Sequence, residues 1–193
     1  MPENTTQIPA ARVPIWDTST LYVTRPWYRF FYNLYTLLGS GSLRYGTFYD
    51  TTDQTAAATN TAYAITFNNT DLSAGVYLGT PTSRIYVDRP GAYNFQFSIQ
   101  LITTNATDKE VYIWARINGV DVANSATQVT IGGATNHAFV AAWNFVLKMN
   151  TGDYFELMWA TSNTNMRIDA QTATAFCPAI PSVIMTVSCN IGE

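Results

Sequence analysis

The chain has 193 residues, enough for one domain with its own hydrophobic core and an appendage. Apolar residues make up 47% and charged residues only 12%, which excludes intrinsic disorder and leaves hydroxyls and amides to solvate the surface. The net charge is −3 and the basic residues are scattered, which excludes direct nucleic-acid binding, because that binding needs a basic face.

The first 23 residues show no sustained helix or strand period. Pro2, Pro9 and Pro14 bias the residue before each of them away from helix, so we expect an extended arm. Apolar side chains such as Trp16 indicate that the arm lies along another surface. The arm has neither the basic nor the apolar region of a signal peptide, and no apolar run reaches transmembrane length. We therefore expect synthesis in a cytosol and no membrane insertion.

An aromatic helix is predicted to follow the arm, over about residues 26–38. Pro26 fits its first turn, and Gly39 is its predicted end. Apolar residues recur at helical spacing and tyrosines form a second stripe, which leaves two arginines as the only charges. A helix without a polar face has to bury most of its circumference against something else. We therefore predict that this region attaches the protein to a partner through Trp16, Trp27, Phe30, Phe31, Leu34 and Tyr35.

Gly39-Ser40-Gly41-Ser42 predicts a flexible joint, which divides the chain into an N-terminal anchor, residues 1–42, and a head domain, residues 43–193. From residue 43 onward the hydrophobic period is two. Turn signals such as Asn118-Gly119 separate short apolar runs. Many short strands without a helical period predict an all-β antiparallel sandwich or barrel.

The strand faces indicate the core of the head and a second apolar surface. We expect five aromatic side chains to be buried in the core: Tyr93, Phe95, Phe97, Trp143 and Phe145. Tyr112 and Trp114 lie opposite the aliphatic row of their own strand, so that strand is apolar on both faces. A partner subunit is the simplest cover for such a face. We therefore predict that Tyr112 and Trp114 lie in a subunit interface.

The sequence contains no pattern typical of a catalytic or metal site. His137 is the sole imidazole, and a serine or cysteine nucleophile needs such a base nearby. Most acidic residues stand beside turn residues, which explains them without catalysis. Cys177 and Cys189 lack the four-ligand spacing of zinc sites, and both a lone disulfide and two reduced thiols stay open. We expect no enzymatic activity, no metal and no cofactor.

Two motifs of the head resemble the jelly-roll domains of TNF-like ligands and of complement-type globular heads. Gly91-Ala92-Tyr93-Asn94-Phe95 resembles the family's glycine-x-tyrosine-x-phenylalanine strand. The run from Leu147 through Gly152 and Asp153 to Leu157 resembles its hairpin before a central strand. The resemblance implies an antiparallel jelly-roll sandwich and a tight homotrimer, which would place Tyr112 and Trp114 in the trimer interface.

The front end is similar to the opening of short structural proteins of tailed bacteriophages. The similarity rests on Arg12-Val13-Pro14, on Asp17 and on the run from Thr24 to Leu34, and it departs at Pro26, just before the tryptophan. It implies a virion protein made in the host bacterial cytoplasm. We therefore expect a homotrimeric capsid decoration (cement) or head-knob protein, attached by its N-terminal segment to the major capsid protein or another virion protein.

Two other functions compete with decoration. One is a tail fibre or tail-attached adhesin whose head binds a host surface receptor, and the other is an enzyme such as a depolymerase. A fibre usually places a long shaft between anchor and head, whereas only the Gly-Ser joint and a short threonine-rich stretch intervene here. No heptad or collagen-like repeat is present. The short connection favours decoration over a fibre, and the missing catalytic pattern disfavours the enzyme.

Overall fold

The computed structural model describes residues 8–40 and 43–192, and the chain divides into two compact units, Met1–Ser42 and Leu43–Glu193. Pro2 and the Gly41-Ser42 half of the predicted joint lie outside the described residues. The first unit contains helix α1, Arg25–Ser40. The strands of the second unit are β1 Tyr45–Asp50, β2 Gln54–Thr55, β3 Tyr63–Ala64, β4 Asn69–Ala74, β5 Val76–Leu78, β6 Ile85–Val87, β7 Gly91–Thr103, β8 Lys109–Ile117, β9 Val120–Asp121, β10 Thr127–Ile131, β11 Ala138–Met149, β12 Tyr154–Thr161, β13 Met166–Ile168 and β14 Val183–Gly192.

Helix α1 is longer than the sequence predicts, because it runs through Gly39 to Ser40 instead of ending before the glycine. Pro26 lies in its first turn, as expected, since a missing N–H does no harm there. Thr24 begins the helix with its backbone carbonyl, which accepts a hydrogen bond from the N–H of Tyr28 at 2.9 Å. The Thr24 hydroxyl instead donates to the carbonyl of Pro14 at 2.7 Å. The side chain therefore ties the helix start to the arm.

The arm is not a plain extended strand, since it folds back on itself before the helix. Trp16 and Val23 form an antiparallel bridge. Asp17 closes the turn between them, because its carboxylate accepts hydrogen bonds from the backbone N–H groups of Ser19 at 2.8 Å and Thr20 at 3.3 Å. The Ser19 hydroxyl also donates to this carboxylate at 2.5 Å, and that bond, followed by the two backbone bonds, lowers the pKa of Asp17. An aspartate that bonds its own turn is a local preference, so the fold-back is encoded within a few residues.

A hydrogen bond from the indole joins the folded arm to the helix. The Nε1–H of Trp27 donates to the carbonyl of Val13 at 2.9 Å, and Trp27 is half-buried as a result. Its ring lies 5.8 Å from that of Phe30 and 5.7 Å from that of Phe31, centroid to centroid. Trp27 is therefore the residue around which the first unit packs.

The second unit is a sandwich of two antiparallel sheets. In the first sheet β7 is central, and β11 pairs along one of its edges. Along the other edge of β7, β14 pairs with one end and β13 with the other end. Beyond β14 lie β1 and then β4, and beyond β13 lies β2. In the second sheet the order is β10, β8, β12, β6 and β5, with β9 beside β8 and β3 beside β12. Asn118 and Gly119 both have positive φ, 51° and 80°, and form the predicted tight hairpin between β8 and β9.

The core lies between the sheets and is built from the alternating rows that the sequence indicates. Tyr93, Phe95 and Phe97 on β7 are at most 2% exposed, which confirms their predicted burial. Phe95 stacks on Phe155 of the opposite sheet with ring centroids 4.1 Å apart, so one aromatic pair bridges the two layers. Burial raises the pKa of Tyr93 to about 12, and its hydroxyl donates to the carbonyl of Arg89.

Trp143 and Phe145, which the sequence also predicts to be buried, pack against the core but are only half-buried. Both lie on the core side of β11 and contact Phe97, with centroid distances of 4.7 Å and 5.9 Å. The physical reason is position in the sheet: β11 pairs with β7 alone, so it is an edge strand. An edge strand has a neighbouring strand on only one side, so its core-facing side chains are less completely covered than those of a central strand.

The Phe95–Phe155 stack generates a stability prediction. Phe95→Ala should destabilise the head by about 3–5 kcal/mol, because it leaves a cavity between the sheets and removes the stacking partner of Phe155. Thermal unfolding at a fixed protein concentration measures the effect. Phe176→Ala is the matched control, because Phe176 is 91% exposed. This variant should melt at the same temperature as the parent. A Phe95→Ala protein that melts within about two degrees of the parent would contradict the core assignment.

The Trp27 hydrogen bond generates a second prediction. Trp27→Phe keeps a ring but removes the donor, and one such bond contributes about 0.5–1.5 kcal/mol. The arm should therefore open roughly two to ten times more often, and trypsin should cut after the exposed Arg12 faster by that factor. Mass spectrometry of the digest measures the rate. Tyr28→Phe, which leaves the hydrogen bond to Val13 intact, should be cut at the parental rate. Equal cleavage rates for the parent and both variants would show that the Trp27–Val13 hydrogen bond does not hold the arm on the helix.

Candidate interaction surfaces

The N-terminal unit carries the largest concentration of exposed apolar side chains in the described residues. Nine of the nineteen exposed large hydrophobic residues lie between Ile8 and Tyr35. Of the predicted attachment residues, Trp16, Phe31 and Tyr35 are 59%, 46% and 75% exposed. Trp27, Phe30 and Leu34 are half-buried, because Trp27 packs against the arm and Phe30 lies against Trp27. Trp27, Phe30 and Leu34 thus form a half-buried supporting row, and Trp16, Phe31 and Tyr35 belong to an exposed row.

The exposed row also contains residues that the predicted set omits. Tyr28 and Tyr32, one helical turn apart, are 61% and 58% exposed and stack with ring centroids 6.3 Å apart. Leu21 and Tyr22, at the turn of the arm, are 77% and 75% exposed. The tyrosine stripe at helical spacing marks the first pair in the sequence. The turn residues carry no such signal, because their exposure depends on the fold-back of the arm.

The charges of α1 do not stabilise the helix. The first turn holds no acid and the last turn no base, while Arg25 stands at the N-terminal end, where the helix dipole disfavours a cation. A 16-residue helix is marginal in water on its own. Its stability therefore depends on the packing of its aromatic side chains within the unit.

The outer face of the first sheet, opposite the core, forms a second surface. Its three central rows of paired residues carry no charge, and Asp71 lies outside these rows, in the bulge of β4. The strand register aligns these rows across β4, β1, β14, β7 and β11. We call this surface the uncharged face. Its exposed apolar members include Tyr45, Leu72, Val146 and Ile184. Each row is given in the strand order β4, β1, β14, β7, β11. The middle row is Leu72, Thr47, Thr186, Gln96 and Asn144; the row on one side is Ala74, Tyr45, Ser188, Asn94 and Val146; and the row on the other side is Asn69, Tyr49, Ile184, Ser98 and Ala142.

The predicted interface pair, Tyr112 and Trp114, lies on the outer face of the second sheet and is half-buried. Both side chains have partners within the chain: the Tyr112 hydroxyl donates to Glu110 at 2.8 Å, and the Trp114 indole N–H donates to Asp121 at 2.8 Å. Asp121 also accepts from Arg116 at 2.7 Å, and these bonds lower the pKa of Asp121. Both rings border a groove of about 470 Å³. The interface assignment stays a prediction.

The buried acids of the head have structural partners. Glu156 accepts from the Ser83 hydroxyl at 2.8 Å and lies 3.6 Å from Arg84. Asp169 accepts from Arg167 at 2.8 Å. Asp153, in the turn before β12, accepts from the backbone N–H of Asn150 at 2.7 Å, which fits its predicted role in the turn and lowers its pKa. These carboxylates hold loops and strand ends in place.

The remaining chemical predictions can be placed on the structure. His137 is exposed and its Nδ1 contacts the carbonyl of Gly132 in the loop before β11. Cys177 and Cys189 are not bonded to each other. Within residues 8–40 and 43–192, no group of three or more His, Cys, Asp and Glu side chains is arranged to hold a metal ion. In the same ranges no helix has the length and apolarity needed to cross a membrane.

Two solved structures are similar to this fold. The globular domain of zebrafish complement 1qA superposes with a TM-score of 0.50 at 11% sequence identity, over 78% of this chain and 99% of that chain. Eiger TNF from S. frugiperda superposes with a TM-score of 0.52 at 8% identity, over 78% of this chain and 94% of that chain. No protein-family model and no curated protein matches the sequence. The predicted all-β jelly roll, of the kind seen in complement-type and TNF-like domains, is therefore the fold of this chain.

Proposed function

We propose that this protein is a non-enzymatic structural component of a virion, a homotrimeric capsid decoration protein attached through its N-terminal unit. The observation that carries the proposal is the exposed aromatic row of that unit, from Trp16 to Tyr35. Exposed apolar area of this extent marks an interaction site. The similarity of residues 12–34 to the openings of tailed-phage structural proteins supports the virion setting, and the short connection between anchor and head favours decoration of the capsid over a fibre.

A trimer needs two complementary surfaces on each subunit, because contacts around a threefold axis are heterologous. The uncharged face is one suitable surface, since charged residues are depleted from the cores of protein interfaces. The edge of β11 is the other: Phe139 is 42% exposed, and Trp143 and Phe145 are half-buried. In the proposed trimer, the β11 edge of one subunit packs on the uncharged face of the next.

The predicted interface at Tyr112 and Trp114 is the alternative surface for the trimer. It suits this role less well, because Asp121 and Arg116 stand beside Trp114 and burying them costs desolvation energy. Both polar tips are already bonded within the chain, so a second subunit would add only ring contacts.

One specific observation favours a second function, a tail fibre or tail-attached adhesin. The groove beside Tyr112 and Trp114 combines aromatic rings with polar side chains, which is typical of a ligand site. An adhesin would use that groove for a host surface receptor, whereas a decoration protein has no need of it. Imaging the protein on an intact particle distinguishes the capsid from the tail as its place.

The trimer proposal predicts the mass in solution and its response to one charge. Light scattering should give about three times the 21.4 kDa chain mass, and the head alone, residues 43–193, should also be a trimer. Gln96→Lys should shift the protein to monomer, because it buries a lysine at the centre of each uncharged face. Thr151→Lys adds the same charge in an exposed turn and should remain trimeric.

Two outcomes would contradict this arrangement. A parent chain that is monomeric at micromolar concentration would refute the trimer. A Trp114→Ala protein that is monomeric, beside a trimeric Gln96→Lys protein, would move the interface to Tyr112 and Trp114.

The attachment proposal predicts that binding to particles lacking the protein needs the N-terminal unit. Burying four apolar side chains would contribute a gross gain of about 6–12 kcal/mol per chain, reduced by the ordering that binding requires. Three anchors on one trimer add avidity if all can reach their sites. The full chain should therefore decorate such particles even at about 1 M salt, where surface charges are screened within about 3 Å.

Two variants test that attachment, with sedimentation of particles and bound protein as the measurement. Residues 43–193 should remain trimeric and unbound. Trp27→Ala with Phe31→Ala in the full chain should lower binding, while Asn33→Ala, an exposed polar position on the same helix, should not. A truncated head that binds as well as the full chain would assign the attachment to the head.

A further inference from the structure

The groove on the outer face of the second sheet is open to solvent and has the volume of a small-molecule site. Its volume of about 470 Å³ falls within the usual range for ligand pockets, about 300–1,000 Å³. β8 supplies Tyr112 and Trp114, which are two residues apart and therefore on the same face of the strand. Ala160 stands opposite Tyr112 on β12, and Ala126 borders the other side. These small residues leave the groove open above the two rings.

The two rings are held in place before any ligand binds. The Trp114 indole is fixed by its hydrogen bond to Asp121, and the Tyr112 hydroxyl by its bond to Glu110, both at 2.8 Å. A fixed ring loses little rotational freedom on binding, so its face is available at low entropic cost. Aromatic faces carry partial negative charge and attract the weakly positive C–H groups of a ligand.

Amide and carboxylate groups stand beside the rings. Asn60 and Asn124 line the groove, and neither side chain makes a hydrogen bond to another described residue. Both have positive φ, 52° and 61°, a backbone conformation that costs energy in a residue other than glycine. Asp121 uses Oδ1 for its bonds to Trp114 and Arg116, and its Oδ2 makes no hydrogen bond to a described residue. Each amide can both donate and accept.

This combination selects a class of ligand. Ring faces suit a flat array of C–H groups, while amides and a carboxylate suit hydroxyls that donate and accept in turn. The ionised Asp121 disfavours phosphate, sulfate and carboxylate groups, and its neighbour Arg116 is already engaged with it. A polyhydroxylated, uncharged ligand fits this combination best.

We propose that this groove binds a neutral saccharide, with pyranose rings stacked on Trp114 and Tyr112 and hydroxyls bonded to Asn60, Asn124 and Asp121. The site is built within one chain, so the proposal rests on neither the virion setting nor the capsid attachment. It requires only that the groove is not covered by a second subunit. A trimer with three such grooves would bind a multivalent glycan surface with avidity.

The test uses the full chain and a defined panel of sugars. Neutral oligosaccharides of glucose, galactose, mannose and N-acetylhexosamines, with sialylated and sulfated counterparts, are presented on an array. Hits are then titrated in solution by calorimetry up to millimolar sugar. At least one neutral glycan should bind, and its acidic counterpart should bind more weakly by tenfold or more.

Variants locate the binding in the groove. Trp114→Ala should lower the affinity at least tenfold. Asn124→Gly should lower it about threefold or more, because glycine keeps the positive φ while removing the amide. Tyr77→Ala is the control, since Tyr77 is exposed on the same sheet outside the groove, and it should bind as the parent does. Light scattering and melting of each variant show that fold and assembly persist, and the Asn124→Gly result stands even if Trp114→Ala fails to fold.

Several outcomes would overturn the proposal. They are the absence of any neutral hit, equal or tighter binding of the acidic glycans, and affinities unchanged in both groove variants. Monomeric Trp114→Ala protein would also overturn it, because the groove would then be a subunit contact. A protein that binds the sugar but does not attach to the capsid would support the saccharide site and refute only the proposed attachment to the capsid.

Discussion

The stacking of Phe95 on Phe155 across the sandwich is the contact on which the head depends. The two rings are 4.1 Å apart and come from the central strand of the first sheet and a central strand of the second. β7 pairs on both of its edges, so its alternation fixes which faces of β11, β13 and β14 point inward. A one-residue slip in β7 would turn every aromatic residue of its core row to the outside. The rest of the sheet register follows from this row.

The position of β11 at the sheet edge links the fold to assembly. An edge strand exposes unpaired backbone groups and part of its core row, and proteins usually cover or blunt such edges. Here the exposed part is aromatic, with Phe139 at 42% exposure, and Trp143 has a buried indole N–H without a partner among the described residues. Nothing charged on the uncharged face would oppose the approach of this edge. The same sandwich geometry therefore supplies both surfaces of the proposed threefold contact.

The sequence predicts what depends on local period and turn chemistry. The alternating runs predict the strands, and the inward row of β7 predicts the core residues Tyr93, Phe95 and Phe97. Asn118-Gly119 predicts a hairpin. It does not reveal which strand stands at an edge, because edge and central strands share the same period, and so the burial of Trp143 was overestimated. The groove also escapes prediction: Asn60 and Asn124 are far apart in sequence, and an Asn- and Thr-rich chain gives neither of them a distinguishing pattern.

The aromatic residues of the two candidate surfaces differ in how they are held, and that difference matches the functions proposed for them. In the N-terminal unit Tyr22, Tyr28 and Tyr35 are widely exposed and Tyr28 stacks on Tyr32, which suits a broad contact that excludes water from a protein partner. In the groove each ring has a polar tip bonded within the chain, and amides and a carboxylate surround it. Fixed rings with hydrogen-bonding neighbours discriminate between small ligands, because a wrong ligand leaves those polar groups unpaired. The two proposals therefore place different demands on the chain: attachment needs apolar area, and recognition needs fixed polar geometry.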